Sequence, residues 1–583
     1  MLTLNQFPKQ MADLELDFDH LNRALINGCF EERVQIGKQE RSFLIYIPKQ
    51  IEYARPCIIA APPSGADPLA FLEHSGLARL ADENMLYTAV LTPPKEGWKL
   101  TPDDPAFMNA VYEAVQRRDY YVTIQDNIYA CGAGEGAAVA QLAAAAMSSD
   151  WSGLMTFGDL GSTFPGFSSV SKKEHDQGEL ELMIDGQKAQ LPVWMMISHL
   201  EGINSAAVQY WSQQNHVLPD PLSGQGADYI WMPSPVRYLS EINEESIAQV
   251  RVTEQVTEIS YSALSTAWRY IGMARRHRSF RIKNLRYTKD PLQAGASLHT
   301  LKVDGRTRRW YEYVPEGCTP DRKWPLVVVM HGRGGSAETF FDITCMSSVA
   351  HDRKFIAVFP EAGIHQQKKD GLRNVLLWNG IYRNQPIDDV AFIRQMVENI
   401  SGRLPIDRGR IYACGQSSGG MMTDVLCTCA SDIFAACASW SALMSKSRSY
   451  RDFEPTAPLS PTLFLYGDRD NICISKEPNP DFPFYVHEEV HQVLLQKLER
   501  YHLKKERFHT WKTYPITWYS YPNDQGVPML TIGIVENMVH GNYPEESRIS
   551  YDQFFSQFCK NEEGELCYRG IPVTSAKQKS DNI

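Results

Sequence analysis

Short, mostly apolar runs recur along the chain, separated by longer segments with the apolar spacing of helices. Residues 56–60, 87–93, 325–329 and 355–360 are such runs. Runs this short and this apolar predict strands that are buried on both faces. Strands that alternate with helices in this way predict a mainly parallel sheet with helices on both sides, so the predicted fold class is α/β.

The pattern occurs twice. Residues 128–132, Ile-Tyr-Ala-Cys-Gly, recur unchanged at 411–415, and the apolar runs upstream of both copies come in the same order. In each copy a turn of small residues follows the first run, at 62–65 and at 331–335. We therefore predict two tandem α/β domains of the same plan.

The predicted seam between the domains lies within 275–295. Residues 263–277 are interpreted as the last helix of the first domain, ending in the basic run 275–278. The segment 288–295 has the composition of a turn or linker. This interpretation places the first domain at 1–280 and the second at 296–575.

A candidate nucleophile lies in the second copy. Residues 415–419 read Gly-Gln-Ser-Ser-Gly, a G-x-S-x-G pattern between an apolar run and a helical pattern. Strand, sharp turn and helix are the context that a nucleophile elbow requires. Small residues on either side permit the strained turn, and the helix N-terminus favours negative charge. The pattern predicts Ser417 as the nucleophile.

An acid and a histidine should follow the nucleophile in that order. The apolar run 461–466 leads into Gly-Asp-Arg-Asp, which offers Asp470 as the acid, with Asp468 as its rival in the same turn. His540 lies just beyond the apolar run 529–535. In the predicted triad, His540 takes the proton of the serine and Asp470 orients the imidazole.

Two backbone donors should stabilise an oxyanion. The amide of Ser418 is one, and the amide of Arg333 in the first strand-to-helix loop is the other, with Gly334 as the alternative. We assign His331 and Trp378 to substrate binding, although Trp378 fits a core position equally well. The aromatic-rich segment 482–521 is expected either to roof the pocket or to join the core.

The first copy lacks the nucleophile. Gly134 stands where Ser417 stands, and Pro-Pro-Ser-Gly-Ala at 62–66 replaces the His-Gly loop. Without a hydroxyl no acyl-enzyme can form, so we predict a catalytically inactive domain. Holding a substrate chain, mediating dimerisation into a homo-oligomer, and buttressing the active domain are all open roles for it.

With these residues in place, the second domain resembles the esterase family that joins polyhydroxybutyrate depolymerases with feruloyl and acetylxylan esterases. The resemblance covers residues 300–560 and rests on segments 331–337, 378–379, 388–394, 405–412, 415–421, 467–470 and 538–541. It implies an α/β-hydrolase fold and serine-dependent hydrolysis of feruloyl, acetyl or hydroxyalkanoate esters. It matches Ser417, Asp470 and His540 to the family's triad. Many relatives are secreted with a leader and disulfides, whereas this chain shows no leader.

The composition and net charge of the chain limit the kinds of partner that we expect. A formal charge of −11 argues against a nucleic-acid partner, and no run of 18 apolar residues offers a membrane span. The start of the chain has no secretory pattern, and the twelve cysteines form no C-x-x-C pair. We therefore expect a cytoplasmic protein with reduced thiols and a small or oligomeric ester as its substrate.

Other functions are open alternatives. Residues 487–491 match H-E-x-x-H, the pattern of a zinc hydrolase, but no third ligand follows in a recognisable pattern, so we expect no metal. The chain shows no nucleotide-binding motif in a strand–helix context, so we expect no cofactor. A serine peptidase or acyltransferase on the same fold, and a non-catalytic binding or scaffold protein, are the remaining alternatives.

Overall fold

A computed structural model describes most of the chain, namely residues 2–9, 14–15, 17–116, 118, 120–169, 189–234, 247–277, 284–368, 372–378, 387–443, 456–475 and 477–573. Contacts divide the chain into two compact units. The first comprises residues 1–16, 22–288 and 366–375, and the second comprises 17–21, 289–365 and 376–583. Each unit has its own large sheet, and the two are described in turn.

The first unit is built on an eleven-stranded sheet and a separate two-stranded hairpin. Its strands are β1 (Leu4–Asn5), β2 (Gly28–Ile36), β3 (Gln39–Ile47), β4 (Arg55–Ala61), β5 (Tyr87–Leu91), β6 (Thr123–Ala133), β7 (Gly153–Phe157), β8 (Val193–Ile197), β9 (Leu222–Gly224), β10 (Ala227–Trp231), β11 (Val250–Glu254), β12 (Ala274–His277) and β13 (Asn284–Tyr287). Its helices are α1 (Pro68–His74), α2 (Leu77–Asn84), α3 (Asp103–Val115), α4 (Gly136–Ala146), α5 (Gly202–Asn215) and α6 (Tyr261–Ile271), with a 3-10 turn at Phe167–Ser169.

Strand β4 shows why this sheet has a core on each side. Cys57, Ile59 and Ala61 point into one buried cluster, which packs against α3 and α4. Ile58 and Ala60 point into the other cluster, which contains residues of α2 and α6. A strand whose alternate side chains are all apolar must be covered on both faces, as the sequence pattern predicts.

The second unit is built on a ten-stranded sheet. The strands from residue 289 onward are β14 (Ser297–Val303), β15 (Arg306–Tyr313), β16 (Trp324–Met330), β17 (Ile356–Pro360), β18 (Ile364–Lys368), β19 (Leu372–Leu376), β20 (Ile406–Gln416), β21 (Ala436–Trp440), β22 (Thr462–Gly467), β23 (His509–Thr513), β24 (Ile516–Pro522), β25 (Pro528–Val535), β26 (Phe558–Lys560), β27 (Leu566–Tyr568) and β28 (Ile571–Pro572). Strands β18 and β19 form a separate two-stranded hairpin, most of which, residues 366–375, is counted with the first unit. The helices are α7 (Ala337–Thr344), α8 (Met346–Arg353), α9 (Asp389–Arg403), α10 (Ser418–Cys429), α11 (Glu488–Arg500) and α12 (Glu546–Ile549), the last continuing as a π-turn at Ser550–Phe554 and a 3-10 turn at Phe555–Gln557.

The two large sheets share one plan. Their strand orders contain β2-β3-β5-β4-β6-β7-β8-β11 and β14-β15-β17-β16-β20-β21-β22-β25, which follow the same sequence of connections. In each series, the first two strands pair antiparallel with the strand that follows them, and the other six run parallel to one another. The predicted α/β class is therefore confirmed. In the second sheet β24 and β23 add an antiparallel hairpin beyond β25.

The predicted helix at 263–277 is wrong in its second half. Helix α6 ends at Ile271. Residues 275–277 of the basic run lie in strand β12 instead of in the helix. At Gly272 a β-carbon would lie 2.6 Å from the Trp268 indole, so a larger residue does not fit there. Arg276 is buried, and its guanidinium donates to the carbonyls of Trp151 and Ser148 at 2.8 and 2.6 Å. Backbone acceptors therefore allow this arginine to lie in the interior.

Two further expectations concern membrane-spanning helices and the state of the cysteine thiols. Within the described part of the chain, no helix is long and apolar enough to cross a bilayer. All twelve cysteines fall in described residues, and none of them forms a disulfide.

Candidate active site

Ser417 occupies the sharp turn between β20 and α10. Its backbone has φ +53° and ψ −116°, a region that side-chain-bearing residues rarely adopt. The amide of Ser417 donates to the carbonyl of Trp440 in the neighbouring strand at 2.9 Å, which fixes the turn against the sheet. The strain is thus held by the hydrogen bonds of the sheet, and the turn lifts the serine off the strand end.

Close packing explains the small residues around Ser417. A β-carbon on Gly419 would lie 2.1 Å from the carbonyl oxygen of Met330 in β16. The first turn of α10 therefore lies directly against the backbone of the adjacent strand, and only glycine fits there. This contact places the N-terminus of α10 beside Ser417.

His540 connects the serine to an acid. Its Nε2 lies 2.9 Å from the Ser417 Oγ, and its Nδ1 lies 2.9 and 3.1 Å from the two carboxylate oxygens of Asp470. Asp470 follows β22 and His540 follows β25, which are parallel neighbours whose carboxyl ends lie at the same edge of the sheet. In this arrangement Nδ1–H donates to the carboxylate and Nε2 accepts from the serine hydroxyl.

Asp470 is fully buried and held by the backbone. Its Oδ1 accepts hydrogen bonds from the amides of Ile472 and Cys473 at 2.9 and 3.2 Å. The Cys473 thiol is also buried, and burial together with the nearby carboxylate raises its pKa well above the ordinary value. The His540 side chain is 22% exposed, so solvent reaches the imidazole but not the Asp470 carboxylate.

Asp468, the rival acid, has a different contact. Its Oδ1 accepts from the backbone amide of Asn537 at 2.7 Å, in the turn that leads from β25 to His540. Burial raises the pKa of this carboxyl. Of the two candidates in the turn, the structure brings Asp470 to His540 and uses Asp468 to hold the approaching loop.

Two further side chains hold the His540 loop, and sequence analysis did not identify either. The hydroxyl of Ser441 donates to the carbonyl of Gly541 at 2.8 Å. The buried carboxyl of Glu546 accepts from the Asn542 side-chain amide and from the Tyr543 backbone amide, the latter at 2.9 Å. Burial raises the pKa of Glu546 to about 8. No motif marks these residues, and the Ser441 contact spans 100 positions of the chain.

The backbone hydrogen bonds in the His-Gly loop distinguish between the candidate oxyanion donors. The amide of Gly334 donates to the carbonyl of Leu376 at 2.9 Å, so the alternative donor already has an acceptor. Ser418 is the first residue of α10, and a first-turn amide has no acceptor within its own helix. The register pairs Met330 with Gly415, so the loop that carries Arg333 begins beside the elbow.

His331 and Trp378 do not lie where a substrate could reach them, which corrects the expectation for both. Each side chain is fully buried. The His331 ring lies between the carbonyl of Gly332 at 2.7 Å and the amide of Ala362 at 3.0 Å, and the Trp378 Nε1–H donates to the His331 carbonyl at 2.8 Å. Burial lowers the pKa of His331 to about 4, so the ring is neutral and holds the His-Gly loop in shape.

The degenerate copy keeps the elbow geometry without the hydroxyl. Gly134 has φ +54°, and its amide donates to the carbonyl of Phe157 at 2.9 Å, matching the backbone of Ser417. The register pairs Ala61 with Gly132, which makes Ser64 the counterpart of Arg333 and Glu135 that of Ser418. The Ser64 amide donates to the Glu135 carboxylate at 3.2 Å. An internal carboxylate thus meets the amide that corresponds to the predicted oxyanion donor, Arg333.

The zinc pattern does not form a metal site. His487 is the N-cap of α11, where its ring accepts from the Glu489 amide, and His491 lies 2.9 Å from Asp481. The two histidines therefore have separate partners. Over the residues that the structure describes, no group of three or more His, Cys, Asp or Glu side chains could hold a metal ion.

Most aromatic residues of the segment 482–521 pack on one another. Phe482 stacks on Phe484 with ring centroids 5.2 Å apart, and Phe484 lies 4.9 Å from Tyr519. Phe508 and Tyr521 extend the same cluster, with centroids 5.6 Å apart. The core interpretation holds for Phe482, Phe484 and Tyr521, which are buried, whereas Phe508 and Tyr519 are partly exposed.

A known protein family matches the part of the chain that contains Ser417. Residues 309–449 match the family described as esterase PHB depolymerase. The resemblance inferred from the motifs is thereby confirmed. This match includes the His-Gly loop and the elbow, whereas Asp470 and His540 lie beyond it.

Curated relatives match part of the chain. The chain is 32% identical over 181 residues to "Putative esterase NocK" of Nocardia uniformis subsp. tsuyamanensis, covering 31% of this chain and 50% of the relative. It is 32% identical over 133 residues to "Feruloyl esterase B" of Thermothelomyces thermophilus, covering 23% of this chain and 43% of the relative. It is 30% identical over 131 residues to "Poly(3-hydroxyalkanoate) depolymerase C" of Paucimonas lemoignei, covering 22% of this chain and 30% of the relative. The chain thus spans half or less of the length of these relatives.

Among solved structures, an acetyl xylan esterase from Aspergillus awamori matches 45% of this chain and 99% of its own, with 13% identity and a TM-score of 0.33.

Proposed function

We propose that the second unit is a serine carboxylic-ester hydrolase that works through an acyl-enzyme. The observation that carries this proposal is the hydrogen-bonded chain from Ser417 Oγ through His540 to Asp470, with both links at 2.9 Å. Three side chains from three separate loops converge in the order and geometry that activates a serine. The relatives named above as esterases support the reaction class.

The chemistry follows from the contacts. Ser417 Oγ attacks the ester carbonyl while His540 Nε2 takes its proton, and Asp470 stabilises the imidazolium that forms. The tetrahedral oxyanion accepts hydrogen bonds from the amides of Ser418 and Arg333. His540 then gives the proton to the departing alcohol, which leaves an acyl group on Ser417. A water molecule, deprotonated by His540, attacks this acyl group, and the acid and the free serine are released.

The first unit has no part in this chemistry. Gly134 offers no hydroxyl, and the loop after β11, residues 255–260, contains no histidine. The Glu135 carboxylate would in addition repel a developing oxyanion at the Ser64 amide. We therefore propose that residues 1–280 form a non-catalytic hydrolase-like domain.

Pre-steady-state kinetics tests the proposal. With p-nitrophenyl acetate, wild-type protein should release a burst of p-nitrophenol equal to one equivalent of active sites, and rapid acid quenching should trap one acetyl group per chain. Ser417→Ala should show neither. Hydrolysis by Ser417→Ala at the wild-type rate would contradict the acyl-enzyme proposal. A parallel panel of feruloyl, acetyl-sugar and hydroxyalkanoate esters, with peptide substrates as the contrast, then defines the acyl group.

A further inference from the structure

The C-terminal hairpin places two cysteines directly opposite each other. Strands β26 and β27 are antiparallel, and their register pairs Cys559 with Cys567. Side chains of directly opposite residues in an antiparallel pair point to the same face. These two residues, the cysteine pair, therefore carry their thiols side by side, although the hairpin loop separates them in the sequence.

Backbone hydrogen bonds on either side of the cysteine pair set its spacing. The amide of Arg569 donates to the carbonyl of Gln557 at 2.7 Å, and the amide of Asn561 donates to the carbonyl of Glu565 at 3.0 Å. Hydrogen-bonded and non-hydrogen-bonded pairs alternate along an antiparallel ladder, and each of these bonds lies two positions from the cysteine pair. The cysteine pair is therefore of the hydrogen-bonded kind, whose α-carbons lie about 5.5 Å apart, within the range of about 4.4–6.8 Å that a disulfide spans.

The two side chains must move little to form a bond. Opposite β-carbons in a ladder lie about 5 Å apart, whereas those of a disulfide lie about 4 Å apart. An approach of about 1 Å closes this gap, at the cost of some distortion of the hairpin. A distorted disulfide is reduced more easily than a relaxed one, so a bond at this position would form and break reversibly.

Solvent reaches the cysteine pair through one of its members. Cys559 is partly exposed, whereas Cys567 is buried, so a reagent in solution meets Cys559 first. Burial and the neighbouring Cys567 thiol raise the pKa of Cys559, so its reaction as a thiolate becomes faster as the pH rises. Cys427 and Cys437 also lie in contact within the second unit, but both are buried and do not offer a reagent the same access.

The hairpin packs against the strand that leads to the elbow. The Tyr412 hydroxyl in β20 donates to the carbonyl of Phe558 in β26 at 2.7 Å. At Gly409 a β-carbon would lie 2.3 Å from the carbonyl oxygen of Lys560, so the two backbones touch. The Lys560 ammonium donates to the carbonyl of Ser431, just beyond α10. Strand β26 thus supports the strand and the helix that flank the elbow, and a bond from β26 to β27 would make the hairpin a more rigid support.

We propose that the cysteine pair is a site of reversible oxidation, at which a low-molecular-weight disulfide converts the two thiols into an intrachain disulfide that stabilises the second unit. The Cys559 thiolate attacks one sulfur of the small disulfide, whose S–S bond breaks and releases one small thiolate. Cys567 then attacks the Cys559 sulfur of the mixed disulfide and releases the second small thiolate. The two protein thiols are thereby oxidised, the small disulfide is reduced to two thiols, and the two protein protons pass to the leaving thiolates. This reaction is independent of the ester chemistry of Ser417.

Oxidation is measured on the folded wild-type protein with glutathione disulfide as the reagent. The intact mass should fall by two hydrogen atoms per chain. Trypsin cleaves after Lys560, between the two cysteines, so peptides 549–560 and 561–569 should stay joined until dithiothreitol is added. The unfolding temperature should rise by about 5 °C on oxidation, as expected for closing a short loop. Cys559→Ser should show neither change, whereas Cys318→Ser, the matched control that removes a partly exposed thiol outside the hairpin, should behave as wild type.

Four results would overturn the proposal. These are retention of all free thiols, a glutathione adduct that persists on Cys559, a disulfide that maps to other cysteines, and equal unfolding temperatures of the oxidised and the reduced wild type. Circular dichroism confirms that each variant is folded. If Cys559→Ser fails to fold, Cys567→Ala removes the same bond and takes its place in the comparison.

Discussion

Replacing Asp470 by asparagine should nearly abolish ester hydrolysis without disturbing the fold. The Oδ1 atom accepts two backbone amides, so an asparagine keeps its carbonyl oxygen there. Its NH₂ group then faces His540 Nδ1, where the carboxylate now accepts. To accept from that NH₂, the imidazole must carry its proton on Nε2, which can then no longer take the proton of Ser417. The variant therefore holds the histidine in the wrong tautomer.

The expected loss in kcat/KM is about 10⁴-fold, or about 5.5 kcal/mol of transition-state stabilisation. Asp468→Asn is the matched control, since an amide oxygen still accepts from the Asn537 amide and the loss should stay below about tenfold. Initial rates with p-nitrophenyl acetate measure both, and thermal unfolding confirms the fold. If Asp468→Asn were as impaired as Asp470→Asn, or if Asp470→Asn kept more than about a tenth of the activity, the assignment would be wrong.

Three further predictions concern the residues around the site. Arg308→Met should cost about 3–5 kcal/mol of stability, because it leaves the fully buried Asp389 without its 2.6 Å partner, and Arg308→Met/Asp389→Leu should recover most of the loss in thermal unfolding. Gly134→Ser should gain no reactivity toward a fluorophosphonate in a Ser417→Ala background, because no histidine follows β11 at 255–260; labelling there would contradict the inactive first unit. Because the folded-state pKa of His331 is about 4 rather than 6.5, the unfolded chain binds the extra proton between these values. The unfolding free energy should therefore fall by about 3 kcal/mol more in wild type than in His331→Asn between pH 7 and 4, and equal slopes in denaturant unfolding would refute the neutral ring.

The triad could be proposed from sequence because each member follows a strand that the apolar pattern reveals. Parallel neighbouring strands end at one edge, so residues 417, 470 and 540 were expected to meet although they are far apart in the chain. The choice between Asp468 and Asp470 needed the structure. Both follow the same strand, and only the direction of each side chain separates the acid beside His540 from the one that holds the loop.

Burial and long-range support were harder to predict. His331 and Trp378 are polar or amphipathic residues beside the elbow, so the sequence could not distinguish a substrate contact from a buried brace. Ser441 and Glu546 hold the histidine loop through hydrogen bonds that no local motif encodes. The basic run after α6 is predicted as the end of a helix, whereas residues 275–277 lie in strand β12 and Arg276 finds backbone carbonyl acceptors in the interior.

Intact-mass analysis after fluorophosphonate treatment tests the central claim most directly, that the second unit alone contains an activated serine. Wild-type protein should gain one adduct per chain, located by peptide mapping on Ser417, and Ser417→Ala should gain none. His540→Ala should slow labelling by several orders of magnitude, because the hydroxyl loses its base. A folded wild type that stays unlabelled, or an adduct that persists in Ser417→Ala, would contradict the account.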